Sequence, residues 1–121
     1  MHTQLHHYQG LSFAEIISDD IVLAAPQEAL DLFGEFYLEP VDGVIVHAAN
    51  LPPEFFQLRT RLAGEIAQKF VNYGLKLAIV GEFAHYESKA LADFIRESNR
   101  GRHLFFVGTL GEALERLAGA Y

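Results

Sequence analysis

The sequence predicts an α/β fold: an N-terminal strand pair, then repeated strand–helix units on a mostly parallel, mixed sheet, in a single domain over residues 1–121. Three observations carry this. Apolar runs recur at Val44–Val46, Leu77–Val80 and Leu104–Val107, each short enough for a buried strand. Between them lie longer segments whose apolar residues return every three or four positions, the period of a helix face. Proline and glycine stand at the junctions, where they start or stop such elements.

The elements follow in order. Residues Gln4 to Ser18 read as one or two strands, with Gly10 as the turn and Asp19-Asp20 ending the pattern. Pro26 suits the first position of a helix, where its missing N–H has no partner to lose. Ala29, Leu30, Phe33, Phe36 and Tyr37 repeat at helical spacing, and Pro40 stops that element. After the Val44–Val46 strand, Pro52 and Pro53 open an amphipathic helix of about five turns that Gly74 closes. Its stripe is Phe55, Leu58, Leu62, Ile66, Phe70 and Tyr73, and Glu65 stands four residues before Lys69, the favourable order for a pair.

Ser88 can cap a third helix with stripe Leu91, Phe94, Ile95 and Ser98, and Gly101 is expected in the left-handed closing position. Thr109-Leu110-Gly111-Glu112 matches a capping box, and Leu110, Ala113, Leu114 and Leu117 pack the last helix. Strands separated by helices imply right-handed crossovers and hence a largely parallel sheet.

Composition narrows the function classes. The chain of 121 residues is half hydrophobic and carries a formal charge of −7. Its first 58 residues hold nine acids and no Lys or Arg, a formal −9, whereas Arg59 to Tyr121 sum to +2. An acidic chain without a basic stripe is a poor match for nucleic acid or an anionic membrane. The opposed signs of the two halves suit self-association as a homodimer or a mixed-charge protein partner. There is no cysteine, so no disulfide, thiolate metal site or cysteine nucleophile. No apolar run reaches the length of a membrane span, and the N-terminus lacks a signal-peptide pattern, so a cytoplasmic location is expected.

The words FFQLRTRLAGEIAQKFVNY, LAIVGEF, SKALADFIRESNRG and FVGTLGEAL, across residues 54–114, resemble the bacterial family known as domain of unknown function 4180. The whole chain is similar, by pattern, to the STAS domains of anti-sigma-factor antagonists and sulfate transporters, which share the leading strand pair, repeated helix–strand units and an ending like FVGTLGEALERL. That resemblance implies a STAS-like sandwich and a bias toward protein–protein regulation. Antagonists of that kind carry a phosphorylatable hydroxyl at the start of the helix after the central strand. The window Leu51 to Gln57 has none, and Thr60 comes a full turn later.

Two sets of surface residues can carry a function. The exposed side of the long helix offers Arg59, Thr60, Arg61, Glu65, Gln68 and Asn72 as an interaction surface. Arg59 and Arg61 stand near the positive end of that helix, a placement a partner carboxylate or the acidic N-terminal half would offset. The loops at the carboxyl ends of the strands, where ligands of parallel sheets usually sit, offer His47, Asn50, Glu54, Glu82, His85, Tyr86, Ser88 and Thr109 for a small anionic ligand. A His beside a Glu could exchange protons near neutral pH. No catalytic constellation, phosphate loop, nucleophile elbow or zinc motif is present, and no cofactor or metal is expected. His6 and His7 point to opposite faces of a strand, so together they cannot chelate one ion. A non-enzymatic regulatory module is therefore the leading expectation, and anionic-ligand binding at the strand ends the alternative.

Overall fold

The computed structural model describes residues 1–121. Its five strands are β1 (His2–Tyr8), β2 (Leu11–Ile17), β3 (Gly43–His47), β4 (Lys76–Val80) and β5 (Leu104–Val107). They lie side by side in chain order, β1 antiparallel to β2 and every later pair parallel. The four helices are α1 (Pro26–Gly34), α2 (Leu62–Asn72), α3 (Lys89–Arg100) and α4 (Leu110–Gly119). No helix is long and apolar enough to cross a membrane.

Strand order decides where the helices go. When successive parallel strands are neighbours and every crossover has the same hand, all crossover helices fall on one face. Helices α1, α2 and α3 do so, burying Phe33, Ile66, Phe70 and Leu91 against Ala14, Ile16, Val44, Val46, Leu77, Ile79 and Phe106. Helix α4, which follows the last strand, folds back on the opposite face over Phe13, Ile45, Ala78 and Phe105. The alternation within each strand supplies both cores. Phe70 meets the Phe33 ring edge-on at 4.8 Å, a geometry worth about 1 kcal/mol beyond simple burial.

The β1–β2 hairpin closes through Gln9 and Gly10, between the paired residues Tyr8 and Leu11. Both turn residues have positive φ, 53° and 80°, as a two-residue turn matching the strand twist requires. Ser88 and Thr109 cap their helices by accepting from Leu91 N (3.1 Å) and Glu112 N (3.1 Å). The Glu112 carboxylate reaches Gly108 N at 3.2 Å, one residue before the position a standard capping box uses.

Several expected boundaries shift. Helix α1 stops at Gly34, leaving Phe36 buried in the following turn while Tyr37 and Leu38 are exposed. The five-turn helix does not exist as one element. Its first part is two 3-10 turns, Pro53–Phe56 and Leu58–Thr60, preceded by a third at Ala48–Asn50, and α2 proper has 11 residues. The break falls at Gln57, whose ψ of 95° is extended, and at Arg61, which adopts a left-handed conformation. Gly101 is extended rather than left-handed, with φ −86°. Glu65 and Lys69 form no ion pair; the chain's ion pairs involve other residues.

Candidate functional site

The surface around the start of α2 is shaped by the helix break. Thr60 Oγ1 lies 2.7 Å from the Glu54 carbonyl and 2.8 Å from that of Gln57, and accepts from Leu62 N at 3.3 Å. Its hydroxyl is thus a clasp for the turn, not a free group. Arg61 follows with φ 66° and ψ 3°, at the N-cap of α2, and its side chain caps nothing. A non-glycine residue in this region stores of the order of 1 kcal/mol or more of strain.

Neither Arg59 nor Arg61 makes an ion pair, although both are exposed in a chain with an excess of acids. The pairing with the acidic N-terminal half that would offset their position is absent. Arg61 instead borders an open groove of about 440 Å³ between α2 and α3, together with Leu58, Gly64, Glu65, Gln68 and Phe94. Arg59 borders a second groove, of about 430 Å³, with Phe56, Leu58 and Ser88. Gln68 donates to Asn72 Oδ1 at 2.8 Å, so these two amides brace each other along the exposed side of α2.

The strand-end residues do not converge on one point. Asn50 is 3% exposed and donates to the carbonyls of Ser18 (2.8 Å) and Asp20 (2.9 Å), tying down the loop after β2. Ser88 and Thr109 are occupied as helix caps. Tyr86 stacks on Phe56 at 4.9 Å, and burial raises its hydroxyl pKa. Glu82 and His85 share one exposed loop at 3.3 Å, while a second Glu82 oxygen accepts from Ala84 N at 2.7 Å. Such an exposed pair contributes little. Glu54 enters the Thr60 clasp through its backbone carbonyl, which accepts from the hydroxyl.

His47 has a different partner. Its Nε2 lies 2.7 Å from Glu15 Oε2, and His6 Nε2 lies 2.9 Å from Glu15 Oε1. The three residues come from β3, β2 and β1, on the face that carries α4. Helix α4 lies mainly over β4 and β5, so the outer strands of that face are only partly covered. Glu15 is the one buried charged residue in the chain, 7% exposed. Burial by itself would raise its pKa, but the hydrogen bonds from His47 and His6, and their charges when protonated, outweigh it and hold the carboxylate below its ordinary value.

An ionised carboxylate can only accept, so each Nε2 carries a proton and each Nδ1 is left as an acceptor in the neutral imidazole. No side-chain polar atom is both buried and unpartnered, so the two Nδ1 atoms reach solvent. Because the imidazoles occupy opposite oxygens of one carboxylate, they bridge rather than converge; no group of three His, Cys, Asp or Glu side chains can hold a metal ion. The arrangement can orient two weak bases and pass protons. His7, on the other face as expected, meets Ser12 Oγ at 3.1 Å.

Glu15 was not singled out by the sequence. Its signal is a lone acid inside the apolar run Phe13-Ala14-Glu15-Ile16-Ile17, and the tight turn after Tyr8 sets the register that brings His6 beside it.

These features define a hairpin-led α/β protein with crossover helices on one face and a terminal helix on the other. The chain belongs to the family described as Domain of unknown function (DUF4180), whose profile matches residues 8–117. No curated protein and no solved structure matches it.

Proposed function

We propose that the protein is a non-enzymatic, STAS-like regulatory module of the cytoplasm that binds another protein through the turn 58–61 and the exposed side of α2. The strand order 1-2-3-4-5, with the leading antiparallel strand and crossover helices on one face, supports the STAS-like reading. The observation that carries the binding reading is Arg61: strained, exposed, unpaired and set at the mouth of a groove. A glycine there would relieve the strain, so an arginine is explained by what its guanidinium meets outside the chain. The partner that fits presents a carboxylate to Arg59 or Arg61 and an apolar side chain to Leu58 and Phe94. Arginines at such positions commonly anchor protein interfaces.

The test is a double charge reversal, Arg59→Glu with Arg61→Glu, compared with wild type for partner capture from the native host. Capture should fall while the circular dichroism spectrum is kept. Equal capture by the variant removes this surface from the account. A second reading rests on the His6–Glu15–His47 bridge, whose outward Nδ1 atoms donate to a small anionic ligand when the imidazoles are protonated. A thermal shift by such an anion that disappears in His47→Ala would favour it; no shift in wild type would end it.

A further inference from the structure

The positive charge of this acidic chain is not spread evenly. Lys76 opens β4, Arg100 ends α3, Arg102 lies in the turn before β5, and Arg116 lies in the last turn of α4. All four gather at the amino-terminal ends of β4 and β5, the opposite end of the sheet from His47 and the strand-end loops. A hollow of about 260 Å³ opens there, bordered by Asn99, Arg100, Arg102, Phe105 and Arg116.

The floor of the hollow is rigid. Asn99 binds the Phe106 backbone through both its side-chain atoms, at 2.8 and 3.2 Å. The Arg116 guanidinium lies 5.0 Å from the Phe105 ring centroid and donates to the Asn99 carbonyl. Lys76 Nζ donates to the Arg102 carbonyl at 2.8 Å and sits over the Tyr121 ring at 4.7 Å.

Internal negative charge does not balance these cations. The only carboxylate within ion-pair distance of any of them is Glu97, 3.6 Å from Arg100, and both are largely exposed. Asp42, the other acid at this end, accepts from Ser12 N instead. The carboxyl ends of α3 and α4 border the hollow and contribute about half a negative charge each. Against four cations, the Glu97 and Asp42 carboxylates and two helix ends leave an excess of about one positive charge. The repulsion is visible at Lys76, whose pKa is lowered by burial and by the charge of Arg102.

We infer that this hollow binds a small, soluble oxyanion of the phosphate or phosphomonoester class. Arginines from three elements border the hollow, which suits a tetrahedral anion with several oxygens; a single carboxylate is satisfied by one arginine fork. The volume falls below that of pockets for drug-sized molecules, which matches a small group. The site is separate from the surface around α2, and neither reading depends on the other.

The test is a ¹H–¹⁵N titration of the full chain with inorganic phosphate at constant ionic strength, repeated with phenyl phosphate and with acetate. Saturable shifts are expected at Gly101, Arg102, Gly119 and Ala120 for the two phosphates, and weaker ones for acetate. Arg102→Gln, an exposed change, and Arg116→Lys, which keeps the charge but loses the fork, should each weaken binding about tenfold. Anionic phospholipid vesicles should leave this protein in the supernatant. Shifts that grow linearly without saturating, or an affinity unchanged in both variants, overturn the inference; sedimentation with vesicles overturns its soluble-ligand form.

Discussion

Replacing Arg61 by glycine should make the protein more stable, and the size of the gain follows from the backbone. Arg61 holds φ 66°, where an L-residue costs roughly 1–2 kcal/mol relative to its preferred regions. Glycine removes that cost but frees the unfolded chain by about 0.5–1 kcal/mol. The exposed Arg61 side chain has no ion pair or cap to lose, and glycine is an acceptable N-cap. The net gain is therefore about 0.5–1 kcal/mol, or about 2–4 °C in a thermal melt of a domain this size. Arg59→Gly is the control. Its residue is equally exposed but has no positive φ, so glycine there should cost about 0.5–1 kcal/mol. Melts and urea titrations followed by circular dichroism compare the two. If Arg61→Gly is no more stable than Arg59→Gly, the left-handed strain is not a real cost, and the argument from strain to function fails with it. If the reasoning holds, Arg61→Gly is the more stable protein and the poorer partner binder.

Other outcomes follow from local geometry. A Cβ on Gly81 would lie 2.6 Å from Ala48 Cβ and 3.2 Å from the Phe83 ring, so Gly81→Ala should cost about 1–3 kcal/mol in chemical denaturation. Gly119→Ala meets nothing within 4 Å and should be neutral or stabilising; similar losses at both sites would contradict the packing argument. Glu15 gives a pH signature. Its pKa in the folded chain is lowered from 4.5, so the stability its charge contributes is present above that value and lost as pH falls through the folded-state pKa. The stability difference between wild type and Glu15→Gln should therefore shrink as pH drops below about 4.5, and a difference that stays constant down the acid limb would refute the bridge.

Strands β3, β4 and β5 are legible because they are largely buried on both faces and read as apolar runs. The hairpin turn and the Ser88 and Thr109 caps were legible because each rests on local chemistry. The length of α2 was not. Phe55 and Leu58 keep the helical spacing and still pack toward the core from 3-10 turns, so the stripe runs unbroken across a backbone break. The extended Gln57 and the left-handed Arg61 mark the break, and neither glutamine nor arginine is a residue that signals it. The apolar spacing places Tyr37 on a helical stripe, but α1 ends before it and the residue is exposed.

The candidate sites divide the same way. Arg59 and Arg61 could be chosen from their position near a helix start, yet their lack of partners is a property of the folded chain. Asn50, Ser88 and Thr109 sit at strand ends as expected, but their polar atoms are used within the fold. Glu15 and His47 are 32 residues apart and meet only through the sheet. The basic hollow draws on four elements and leaves no local pattern at all.

The most direct measurement is native mass spectrometry of the untagged protein, purified gently from its own host, beside the Arg59→Glu, Arg61→Glu variant. A protein-interaction module predicts a second polypeptide mass with the wild type that is lost from the folded variant. A partner retained by the variant, or a wild type that carries a small molecule and no protein, would contradict it.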